Sequence, residues 1–156
     1  MEETTIYFYH KPTEKAKPED LYLGNFYPSP MTVHGISYPT VEHYYHSQKF
    51  SDPEIIERIR SAPTPKMAER IASEYEWNTE EWEEIKENVM RFGIFSKFKQ
   101  NPELKEKLLA TGTAKLVEDN HKDAFWGGSI EGSENKMGKL LMDLREQLKK
   151  AAEDLQ

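Results

Sequence analysis

The chain has 156 residues, and 21 basic against 28 acidic side chains give a net charge of −7, which disfavours non-specific duplex DNA binding because phosphates need clustered Lys and Arg. No cysteine is present, which excludes disulfides, thiolate nucleophiles and cysteine–zinc sites. Aromatics at 12% exclude a disordered chain and predict one domain over 1–156, while the absence of a long apolar run or a basic–apolar leader after Met1 predicts a soluble cytoplasmic protein with no membrane partner.

Thr5 to Tyr9 alternates weakly in β-branched and aromatic residues and predicts a short strand. Lys11 to Asp20 is charged and carries Pro12 and Pro18, so it reads as an exposed loop. Pro28 and Pro30 forbid a helix after Phe26. Met31-Thr32-Val33, His34-Gly35 and Ile36-Ser37-Tyr38 predict a small hairpin. Helices follow. Thr40 can cap the first, Ser51-x-x-Glu54 has capping-box spacing for the second, and Thr64-Pro65 and Asn101-Pro102 each place a capping residue before a first-turn proline. Trp82, Ile85, Val89, Phe92 and Ser96 follow 3-4 spacing and predict the buried stripe of a long helix. Gly112 ends the helix that starts at Pro102, Ala124 to Glu134 is a glycine-rich loop, and Met137, Leu140, Leu141, Leu144 and Leu148 mark an amphipathic terminal helix. The fold class expected is mainly α (α+β), one compact helical domain with a short N-terminal strand and a small hairpin.

Chemistry concentrates in Pro39 to Phe50. Glu42 lies in the first turn of its helix, where the amide dipoles favour a negative charge. Lys49 is seven residues on; ~700° of rotation falls ~20° short of two turns, so both groups share one face with an axial separation of ~10 Å. At that separation the two heads flank a sugar without touching unless they bend together. Each also has an ordinary explanation, as a dipole carboxylate and as a solvated lysine. His46 stands four residues from Glu42, within reach of it. His34, His43 and His46 lack the His-His spacing with an acid that zinc hydrolases use, so no metal is expected. Asp123-Ala124-Phe125-Trp126-Gly127-Gly128 offers an aromatic face beside glycines, either a core anchor or a stacking platform for a base. No phosphate-binding loop motif is present. The amides that open the terminal helix either hold a phosphate or are capped by Asn135.

Taken in order, several segments resemble the NADAR superfamily, the YbiA-like N-glycosidases. They are Gly24-Asn25-Phe26, Tyr38 to Tyr44 with Gln48-Lys49-Phe50, Val89-Met90-Arg91 and Leu108 to Thr111, followed by Ala114 to Glu118, Asp123 to Gly127, and Asn135 to Gly138 with Leu140-Leu141-Met142. The resemblance implies a hydrolase acting on N-glycosyl bonds, without a cofactor. Its substrates would be phosphoribosylamino-pyrimidine intermediates of riboflavin synthesis, or ADP-ribose on guanine in a nucleotide or nucleic acid. A binding module for ADP-ribose or NAD without turnover is the third alternative. The implied catalytic pair falls on Glu42 and Lys49. Implied substrate contacts fall on Asn25, Phe26, Tyr45, Gln48, Asp123, Trp126, Gly127, Asn135 and Gly138. The chain departs from the family pattern at Ala72-Ser73, where many relatives carry Gly-Arg, and in a shorter loop between Trp126 and Asn135.

Overall fold

A computed structural model describes residues 3–155. It is mainly helical with four short strands among the described residues. The chain divides into two compact units, one of residues 25–101 and one of residues 1–24 with 102–156.

In the unit of residues 25–101, the proline-bounded segment turns into a hairpin of β2 (Met31–Val33) and β3 (Ile36–Tyr38), antiparallel with Val33 opposite Ile36. The two-residue turn needs positive φ at both positions, and His34 at 50° and Gly35 at 79° supply it. Helix α1 (Val41–Ser47) starts where Thr40 accepts a hydrogen bond from the His43 amide, as its sequence predicts. Helices α2 (Pro53–Arg60) and α3 (Pro65–Ala72) pack on α1 and on each other, burying Ile59, Ala62, Ala68, Ile71 and Ala72 with Phe50, Ile55 and Tyr75 alongside. The cap of α2 is Asp52, accepting from the Glu54 amide, so the capping box expected on Ser51 does not form. Asp52 directly precedes Pro53 and meets the first turn without it.

The long helix α4 (Thr79–Gln100) corrects the expected stripe. Ile85 and Phe92 of that stripe are exposed, as is Phe95, while Trp82 and Ser96 are buried as expected; the rest of the buried face runs through Met90, Gly93, Ile94, Lys97 and Phe98. A glycine and a lysine carry no apolar signal, so the spacing rule placed the middle of the stripe on the neighbouring face. Gly93 is there because α1 comes close: a Cβ would lie 3.0 Å from Tyr44 Cδ2. Asn101 ends α4 rather than capping its successor, its side-chain amide donating to the carbonyls of Lys97 at 2.8 Å and Pro30 at 3.1 Å.

Lys97 is 1% exposed, and burial pushes its ammonium down to about 7. The unfolded chain holds that proton up to ~10.4. Between those values the unfolded state binds more protons, so stability rises with pH, and the penalty is complete below about 7. Lys97→Met is expected to gain ~3 kcal/mol more stability at pH 6 than at pH 9.5, measured by urea unfolding at both values. A difference independent of pH would refute the uncharged burial of Lys97.

The second unit joins the chain's two ends. Strand β1 (Thr5–Phe8) pairs in parallel with β4 (Lys115–Glu118), Thr5 opposite Lys115. A 3-10 helix (Pro18–Leu23) forms at the end of the stretch expected as a loop, with Ala16 already buried before it. Helix α5 (Pro102–Ala110) stops at Gly112, φ 66°, and α6 (Lys136–Asp154) lies against β4 with Met137, Leu140, Leu141 and Leu144 buried. No helix among the described residues is long and apolar enough to cross a membrane.

Candidate functional site

Helix α1 is held by buried bonds before any chemistry is considered. The carbonyl of Ala62 can only accept, so His43 Nε2 carries the hydrogen it donates over 3.0 Å, and His43 Nδ1 is left to accept from the Thr40 hydroxyl at 2.8 Å. His43 is 1% exposed, and burial lowers its pKa. It is a structural bolt between α1 and the α2–α3 turn. The Glu42 amide donates to the Asn25 carbonyl at 3.2 Å, and the Asn25 side chain donates to Met90 Sδ at 3.4 Å. Asn25 therefore sits beside the first turn of α1, where Glu42 begins.

Glu42 and Lys49 do not share one helix. Helix α1 ends at Ser47, and Lys49 stands in the following turn, its amide donating to the His46 carbonyl at 3.3 Å. The tightened last turn breaks the 100° rule used to place them together. They are nevertheless joined through the imidazole of His46. Its Nε2 lies 2.7 Å from Glu42 Oε1, the i, i+4 contact the sequence suggested, and its Nδ1 lies 3.1 Å from Lys49 Nζ. The Glu42 and His46 side chains are only 13% and 9% exposed.

Around Lys49 the walls are aromatic. Its ammonium is 4.1 Å from the Trp77 ring centroid, 5.6 Å from that of Trp82 and 6.0 Å from that of Tyr45. Tyr45 and Trp82 meet edge to face at 5.0 Å and fix two walls of the box. Desolvation among these rings lowers the Lys49 pKa, with Glu42 and Glu69 opposing the fall. A cleft of about 210 Å³ opens beside it, lined by Gln48, Lys49, Asn78, Glu81, Trp82 and Ile85 among others. Trp77 and Glu69 escaped the sequence analysis, since a lone tryptophan in a connector and an exposed helix acid carry no motif. Glu42, His46 and Glu69 each turn one donor atom to within 4.8 Å of the others, a spacing that a cation could use. Both nitrogens of His46 are, however, already engaged, and one faces an ammonium. Phe26 is half-buried in the same unit.

The other unit places Asp123, Trp126, Gly127, Asn135 and Gly138 around β4 and the start of α6, and Asp123, Gly127, Asn135 and Gly138 have structural tasks there. Asp123 Oδ1 accepts from the Phe125 and Trp126 amides, both at 2.9 Å. Asn135 does not cap α6. At φ 49° its side chain turns back to donate to the Leu116 carbonyl at 2.9 Å and accept from the Glu118 amide at 3.1 Å. The Lys136 and Met137 amides donate to the carbonyls of Phe125 and Trp126, so those donors are not left for a phosphate. Gly138 is dictated by packing, because a Cβ would fall 2.0 Å from the Leu116 carbonyl oxygen.

With this geometry in hand, comparisons place the chain. A family model described as the NADAR domain matches residues 7–149. The chain is 41% identical over 150 residues to the N-glycosidase YbiA of Escherichia coli, covering 95% of this chain and 91% of that protein. It is 43% identical over 152 residues to a riboflavin biosynthesis protein of Vibrio vulnificus, covering 96% of this chain and only 40% of that longer protein. The NMR structure of E. coli YbiA matches with a TM-score of 0.81 at 40% identity, covering 100% of this chain and 90% of the other. That likeness agrees with the mainly helical fold class expected from sequence. The chain belongs to the NADAR family.

Proposed function

We propose that this chain is a hydrolase of N-glycosyl bonds that cleaves the ribosyl C1–N bond of a phosphorylated N-riboside, with phosphoribosylamino-pyrimidine intermediates of riboflavin synthesis as the substrate class. Support for the reaction class comes from the family and from a relative named an N-glycosidase; support for the substrate class comes from a relative named a riboflavin biosynthesis protein.

The observation that carries the reading is the desolvated amine of Lys49, linked by one imidazole to the carboxylate of Glu42. When the C1–N bond breaks, its electron pair stays with the base nitrogen, which takes a proton, and C1 becomes electron-poor. A carboxylate at that point stabilises the developing charge or removes a proton from the attacking group. Once Lys49 has lost a proton its amine forms a bond to C1, the ring C1–O bond breaks with its oxygen taking a proton released from Nζ, and the opened sugar is held as an imine, which water then hydrolyses to free sugar and lysine. We assign no metal to this chemistry, since both nitrogens of His46 are engaged, Nε2 by Glu42 and Nδ1 by Lys49.

Incubation with a phosphoribosylamino-pyrimidine and, separately, with ADP-ribosyl-guanosine tests the substrate. Release of ribose 5-phosphate from the first is expected. Release of ADP-ribose alone would move the assignment to guanine de-ADP-ribosylation, and calorimetric binding of ADP-ribose without any product would make the chain a binding module.

A further inference from the structure

The imidazole between the two candidate catalytic groups has a defined direction. An ionised carboxylate only accepts hydrogen bonds, so the 2.7 Å contact with Glu42 Oε1 puts a hydrogen on His46 Nε2. Nδ1 of the neutral ring is then a lone pair, and it faces Lys49 Nζ at 3.1 Å. Three of the walls around Lys49 are aromatic rings, which offer only their faces to the ammonium's protons.

We propose that His46 is a positioning residue and proton relay that delivers Lys49 as a free amine. This rests on the glycosidase reading above and adds a third member to the pair. The step is a proton transfer: one Nζ–H bond of the ammonium breaks, its electron pair stays on Nζ, and an Nδ1–H bond forms. The imidazolium that results keeps its Nε2–H on Glu42, whose negative charge offsets it. The charge state of this chain answers to its neighbours on every side. On α1 these are Glu42 and His43, which couples to His46; from α3 Glu69 approaches within 4.8 Å; and at the start of α4 Glu81 lines the cleft beside Lys49. Glu69 and Glu42 favour the protonated lysine, which is why a dedicated acceptor at 3.1 Å matters.

The substitution that separates relay from scaffold is His46→Gln. Glutamine can still donate to Glu42 and accept from Lys49, but it cannot take up the proton. The test measures kcat/KM across pH for wild type and this variant, on whichever substrate the wild-type protein turns over. The deficit is expected to be ~30-fold at pH 6.5, where the amine needs a base, and to narrow to ~3-fold at pH 9, where a larger fraction of Lys49 is already deprotonated by solvent. Borohydride trapping of the sugar on Lys49 should slow in parallel at the lower pH. A ratio that stays flat across pH would overturn the relay, whether the constant value is one or a hundred. His46→Ala, followed by circular dichroism for folding, should lose activity throughout the range. Wild-type-like kcat/KM in that variant would also overturn it. Failure of the parent reading is distinguishable, because the wild-type protein would then release no sugar from any N-riboside.

Discussion

Glu42→Gln is expected to leave the fold intact and to cut kcat by ~10³-fold, in the range a single acid–base group contributes. The fold should survive for a local reason. The backbone amide of residue 42 makes the bond to Asn25, and the helix is capped by Thr40; neither uses the carboxylate. Glutamine can also retain a hydrogen bond to His46, so the imidazole stays in place. What disappears is the negative charge that balances a proton on His46 and a developing positive charge at C1. The measurement is single-turnover cleavage at saturating substrate, with thermal unfolding as the control. Wild-type turnover by a folded Glu42→Gln protein would remove Glu42 from the mechanism. Loss of turnover together with a fall in Tm of more than ~8 °C would show that the carboxylate matters mainly to the structure.

Much of this arrangement was legible in the sequence, and the rest was not for identifiable reasons. Thr40, Thr64 and the His34-Gly35 turn act locally, through bonds to residues two or three positions away, and short-range rules find such features. The Glu42–His46 contact is of the same kind. The box around Lys49 is not: Trp77 comes from the connector after α3, and only tertiary packing brings it within 4.1 Å of the ammonium. Strand β4 was invisible for a similar reason. Lys-Leu-Val-Glu is too short to alternate convincingly, and its partner β1 lies some hundred positions earlier, joined by a parallel register with no hairpin signal. On α4 the error was one of alphabet: Gly93 and Lys97 occupy the buried face and read as non-core residues. By type and position Asn135 either caps α6 or leaves its first amides to a phosphate, but in the left-handed region its side-chain amide reaches back to β4. Residue type narrowed each of these roles; backbone conformation decided them.

Lys49→Met should be the most damaging change at the site, with kcat reduced ~10³-fold or more if the amine forms a covalent intermediate. Methionine keeps an unbranched apolar stem between Trp77 and Trp82, so the aromatic walls retain a filler and the variant is expected to fold. It removes the nitrogen alone. In the wild-type protein, borohydride added during turnover should reduce the imine and leave a stable sugar adduct whose mass maps to Lys49, while the Lys49→Met protein should carry none. The acid side of the wild-type profile has a fixed sign. Burial lowers the Lys49 pKa, so the free-amine fraction rises with pH and does so earlier than for a solvated lysine. Each unit of lowering raises the reactive fraction at neutral pH about tenfold, which is why the box and the nucleophile belong to one argument. Opening the box should therefore move the acid limb upward: Trp77→Ala admits water to the ammonium and raises the apparent pKa with the nucleophile still present. A wild-type protein that turns over substrate in borohydride without labelling Lys49 would exclude the imine and leave water, activated at Glu42, as the attacking group.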